Sequence, residues 1–237
     1  MPDLPTLPPR VTTSARWPVG VLLTAWAYTW RTTPLHRGEV GGSWEEDAPP
    51  TLPAGVEHAG VQTPGDGAGP LLHRRYGARI LDAELTAEAL IARLGADPNR
   101  VAPGALAHFV KVEGDDGRMA VGDEFLIRMP GPWDGPVRVI DVTPTSFRFA
   151  TLDGHLEAGQ IEWHASDDGD AVRFGIESWA RSGDRLSDLM HNRLRMAKEV
   201  QLHMWTAVIE RTAKLAGGRL ERGIDIETRR VELSAAA

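Results

Sequence analysis

The chain has 237 residues, 42% hydrophobic and 25% charged, enough for one globular domain with a core and extensions. Its net charge of −7 argues against a general nucleic-acid partner, because phosphate binding needs a basic face. It has no cysteine, which excludes disulfides, thiolate metal sites and cysteine nucleophiles and fits a cytoplasmic setting.

Residues 1–16 are Pro-rich and read as loose. Trp17 to Trp30 is an apolar run with four Trp-class or Tyr aromatic breaks, and residues 17–31 read as a short helix. Such a helix spans about 20 Å, short of a hydrocarbon core of roughly 30 Å. It is expected to pack on the domain or on a partner, with peripheral membrane contact or a secretory role as alternatives. Residues 38–70 are rich in Pro, Gly and acids and contain no Lys or Arg, the composition of a linker or surface strap. Residues 1–70 are therefore expected to be an extension, and the folded domain to start near Leu71.

From Leu71 the pattern changes. Residues 71–81 suit a strand. Residues 85–95 suit a helix capped by Thr86, with Leu85, Ala89, Leu90 and Leu94 at helical spacing. Strand-like segments follow at 107–113, 121–129, 136–142, 145–152, 159–166 and 171–180. Polar turns such as Asp115-Asp116-Gly117 and Asp167-Asp168-Gly169-Asp170 separate them. Links this short imply antiparallel neighbours. In the last three strands, Phe147 and Phe149 alternate with Ser146 and Arg148, and Ile161 and Trp163 with Gln160, Glu162 and His164. Val172, Phe174 and Ile176 alternate with Arg173 and Glu177. One apolar and one polar face indicate a sheet covered on one side.

The cover is a helix over residues 184–216, capped by Asp184 and ended by Gly217-Gly218. Leu186, Met190, Ala197, Met204, Val208 and Leu215 form its apolar stripe. Residues 219–237 read as a tail, with a possible edge strand at 223–232. The predicted class is α+β, a curved antiparallel sheet wrapped around a long C-terminal helix. Space between the two is a natural place for a ligand.

The run Thr151-Leu152-Asp153-Gly154-His155-Leu156-Glu157-Ala158-Gly159-Gln160-Ile161-Glu162 resembles the "TL-x-GH-x-x-AGE" stretch of a bacterial and plant family of unknown function, DUF1990. Val137-Arg138-Val139-Ile140 and Glu177-Ser178-Trp179-Ala180-Arg181 are similar to further parts of the same family. The resemblance spans about residues 71–218. It implies the helix-grip fold of the START and Bet v 1-like proteins, and it suggests an apolar or amphipathic small-molecule partner. It implies no defined activity, since that superfamily mixes carriers, cyclases and hydrolases. Family members usually carry Glu-Glu after the glycine matching Gly159. Here Gln160 and Ile161 precede Glu162, so no role resting on that first acid carries over.

Several constellations are weighed against plainer readings. Phe125, Phe147, Phe149, Trp163 and Phe174 share the presumed concave face, opposite Met190 and Met204; they read as core or as a pocket wall. Arg193, near the helix stripe, pairs with a carboxylate or anchors an anionic ligand. His155, Glu157 and Glu162 are weak candidates for acid–base work, and with His164 for a metal, but Ile161 and Trp163 claim the core face beside them. Trp133 sits in a stiff Pro-Gly turn, as a lid or folded back. No phosphate loop or nucleophile-elbow motif occurs. The expected function is non-catalytic binding of an apolar or amphipathic small molecule, without metal or cofactor. The alternatives are an enzyme using His155 with a carboxylate, or an interaction module acting through residues 17–31.

Overall fold

The computed structural model describes residues 33–129, 134–182 and 191–232, with the backbone alone for 191–200. The segment 17–31, Trp133, the start of the helix at 184 and Met190 lie outside the described residues, as does the side chain of Arg193.

The alternating segments between residues 71 and 180 form strands as the pattern predicts, and others join them. In chain order the strands are β1 (Leu35–Gly41), β2 (Ala68–Leu81), β3 (His108–Glu113), β4 (Glu124–Arg128), β5 (Asp134–Thr143), β6 (Ser146–Thr151), β7 (Glu157–Asp168), β8 (Ala171–Ser182), β9 (Arg219–Leu220) and β10 (Ile224–Val231). Three α-helices accompany them among the described residues: α1 (Trp44–Asp47), α2 (Ala87–Ala96) and α3 (His191–Leu215). Thr86 caps α2 by accepting from the Ala89 amide, and Asp167 accepts from the Ala87 amide.

The strands join in one sheet, in the order β1-β10-β2-β8-β7-β6-β5-β4-β3, with β9 beside β2. All pairs are antiparallel except β1 with β10. A flat sheet of that many strands is about 40 Å wide, and a helix only about 10 Å. Yet one core takes in Phe109 of β3, Ile226 of β10, Leu90 and Leu94 of α2, and Trp205, Val208 and Ile209 of α3. The sheet therefore curls round α3, which is the helix grip that the sequence predicts.

Two features depart from the expected boundaries. Residues 35–41 belong to the sheet and β2 begins at Ala68, so the sheet draws on the segment expected to be an extension. Residues 224–231 are not an edge: β1 pairs with β10 on its far side, closing it in. The segment between β1 and β2 is a strap across the outer face. Gln160 donates to the Pro50 carbonyl, and Arg138 to those of Glu57 and Ala59. Val56 packs on Ile140 and Ala150 in a small second core. Arg148 and Gln160, expected to face solvent, are buried on this side of the sheet.

Candidate ligand-binding site

The inner face of the sheet has two zones. In the first, Phe125, Phe147, Phe149, Trp163 and Phe174 are each buried, and their rings pack on one another. Phe147 meets Trp163 at 5.4 Å and Phe149 at 5.6 Å between centroids; Phe125 meets Phe149 edge-on at 5.9 Å. Trp163 meets Phe174 at 6.2 Å. Phe109, absent from the sequence-based set, joins them through Phe125, Phe149 and Trp163. Met204 is buried in the same core. These rings take up one another's surfaces, the edge-to-face geometry that aromatic quadrupoles favour.

The second zone lies toward the Ser182 end of β8. Tyr76, Ala78 and Ile80 of β2, with Phe174 and Ile176 of β8, point into the core. The two-residue period carries Arg74 and Ser178 to the same face, and the two are register partners. Arg74 is 6% exposed and Ser178 4%. Opposite them α3 presents Gln201 and Trp205, one turn apart. Arg74 Nη1 donates to Gln201 Oε1 at 2.5 Å, and Gln201 Nε2 donates to Glu157 Oε2 at 2.8 Å. The other Glu157 oxygen lies 3.7 Å from the guanidinium. Trp205 is buried, with its ring edge-on to Trp163 at 6.0 Å.

Ser178 Oγ and Trp205 Nε1 have no hydrogen-bond partner among the described residues. A buried donor left unpaired costs about 1–3 kcal/mol. Ser178 is the register partner of Arg74, and Trp205 lies one turn from Gln201, which bonds Arg74, so this zone holds hydrogen-bonding capacity that no described residue uses. Other unpartnered buried atoms, such as Thr212 Oγ1 further along α3 and Gln62 Oε1 on the strap, fall elsewhere.

The weak catalytic candidates separate. His155 Nδ1 lies 2.9 Å from the Glu157 amide and 3.0 Å from the Glu157 carbonyl oxygen, so the backbone of Glu157 occupies that ring nitrogen in either tautomer. That ring lies against Gly135, where a Cβ would sit 3.0 Å from it. Loss of water around the imidazole pushes its pKa below the ordinary value, against the opposing pull of Glu157. No carboxylate bonds the ring among the described residues, and Glu157 is engaged by Gln201 and Arg74. Glu162 has the parity of the outer face, opposite Trp163. Gly159 explains part of the motif around it: a Cβ there would stand 1.9 Å from the Trp179 carbonyl oxygen. Among the described residues no group of three or more His, Asp or Glu could hold a metal, and no helix is long and apolar enough to cross a membrane.

Residues 104–211 match the family model described as domain of unknown function, DUF1990. The sequence resemblance to that family is borne out over β3 to α3. No curated protein matches the chain. Among solved structures, the di-domain aromatase/cyclase StfQ of the steffimycin pathway is similar at 10% identity, over 65% of this chain and 52% of its own, with a TM-score of 0.48. The chain thus spans about half the length of that protein. Norcoclaurine synthase from Thalictrum flavum is similar at 12% identity, over 62% of this chain and 87% of its own, TM-score 0.43. Ginseng major latex-like protein 151 from Panax ginseng is similar at 12% identity, over 56% and 97%, TM-score 0.37. These likenesses concern chain path and carry no ligand or reaction across.

Arg74, Ser178, Gln201 and Trp205 were not singled out in the sequence. The signal was present for the first two, since each is a polar residue in phase with buried apolar ones two positions away. Trp205 and Gln201 need the partner strands to give them meaning.

Proposed function

We propose that the protein binds an amphipathic small molecule between the inner face of the sheet and α3. One observation supports this above others: Ser178, beside the buried Arg74 on an otherwise apolar face, and Trp205 on the covering helix are buried donors with no partner among the described residues. Natural interiors rarely leave such groups unpaired, and sites that do are candidates for a ligand. In this reading Trp205, Trp163 and Met204 meet the apolar body of the ligand. Phe125, Phe147, Phe149 and Phe174 support them from behind. No acid–base step is part of the reading, and the lack of cysteine suits a cytoplasmic carrier.

Native mass spectrometry of the full chain purified from its own host tests this. A bound organic species at one per chain, lost on denaturation, is expected. A bare chain, with no small molecule released into an organic extract, would overturn the reading.

A further inference from the structure

We infer that the head group held at this site is a carboxylate. The inference rests on the small-molecule reading above and goes on to name the chemistry that the site selects.

The donors decide it. The Trp205 indole N–H can only donate, and so can every nitrogen of the Arg74 guanidinium. The Ser178 hydroxyl donates or accepts and is free to donate. The Gln201 amide is not free to turn: its oxygen faces Arg74 and its nitrogen holds Glu157. A ligand entering here therefore meets an indole N–H, a hydroxyl and a guanidinium. It must bring acceptors, and a carboxylate brings two oxygens and no donor. An ammonium would place donors against donors.

Charge points the same way. The Arg74 side chain is 7% exposed, whereas its ion-pair partner Glu157 is 32% exposed and 3.7 Å away. Water screens the acid more than the buried guanidinium, so the pair presents positive potential on its buried side. Charge-assisted bonds from Arg to carboxylate are also stronger than neutral ones.

Calorimetric titration of the full chain with two matched series is the test. One has a linear body: decanoate, methyl decanoate and decylamine. The other has a flat one: 2-naphthoate, its methyl ester and 2-naphthylmethylamine. In at least one series the carboxylate is expected to bind tenfold or more tighter than the ester and the amine. Trp205→Phe keeps an aromatic ring but deletes the indole N–H, and Ser178→Ala deletes only the hydroxyl. Each is expected to weaken the carboxylate roughly tenfold and leave the amine unchanged. Arg74→Gln is expected to bring the carboxylate to the level of the ester. If the probes bind without a head-group preference, or if Trp205→Phe and Ser178→Ala leave the carboxylate unaffected, the inference fails and the binding reading stands. If no member of either series binds, the binding reading itself fails.

Discussion

His73 and Arg74 are neighbours in β2, both buried, and they face opposite sides of the sheet. On the outer side His73 is saturated. Its Nδ1 lies 2.7 Å from Asp47 and its Nε2 2.5 Å from Glu177, with Trp179 stacked on the ring at 5.1 Å. The Ser43 amide and Arg229 bind Asp47, and Arg75 binds Glu177. On the inner side Arg74 shares its zone with two donors that have no partner among the described residues. A buried polar group matched by its neighbours holds a fold together. One with capacity left over is available to something else. The outer cluster pins α1 to the sheet; the inner one faces α3.

Three changes sharpen or break that contrast. The largest effect is expected for His73→Ala, which leaves the fully buried Asp47 without its nearest partner. Removing one member of a buried charged network costs about 3 kcal/mol. Urea unfolding should show a loss of that order, and a loss below about 1 kcal/mol would mean that the outer cluster is not structural.

Acid comes next. Burial is the largest single influence on the carboxyls of Asp47 and Glu177 and pushes them up, but the bonds to His73 and the neighbouring groups together outweigh it. The Ser43 amide and Arg229 assist at Asp47, and Arg75 at Glu177, so both groups end below the usual carboxylate range. The unfolded chain therefore takes up these protons first. The stabilisation is complete above about pH 5 and is lost as pH falls through the folded values. The urea midpoint should drop between about pH 5 and pH 3, and drop less in His73→Ala. An equal drop in both proteins would place the acid sensitivity elsewhere.

The smallest effect is expected on the inner side. Ser178→Ala removes a hydroxyl that has no partner among the described residues, so stability should stay within about 0.5 kcal/mol or rise. A loss above about 1 kcal/mol would show that this hydroxyl is matched after all, and the contrast with His73 would collapse.

The two sides also differ in how legible they are. Alternation at Phe147 to Phe149 and Val172 to Ile176, the cap at Thr86 and the periodicity leading to Met204 and Val208 sit in short windows of sequence. They give the strand order from β3 to β8 and the covering helix. Pairing of Leu35–Gly41 with Ile224–Val231 joins segments nearly the whole chain apart, and the polar, Gly-containing β1 carries no local period. Asp47 reads as one acid in a run until His73 is found against it. The inner site is half legible. Arg74 and Ser178 break an apolar phase, but that they face Trp205 follows only from how the sheet curls round α3.

The indole Nε1–H resonance of Trp205, identified in a 15N correlation spectrum by its loss in Trp205→Phe, tests the central claim most directly. Added decanoate should move it downfield in a saturable way, because the free donor gains a charged acceptor. A resonance that stays in place in excess decanoate would contradict the account.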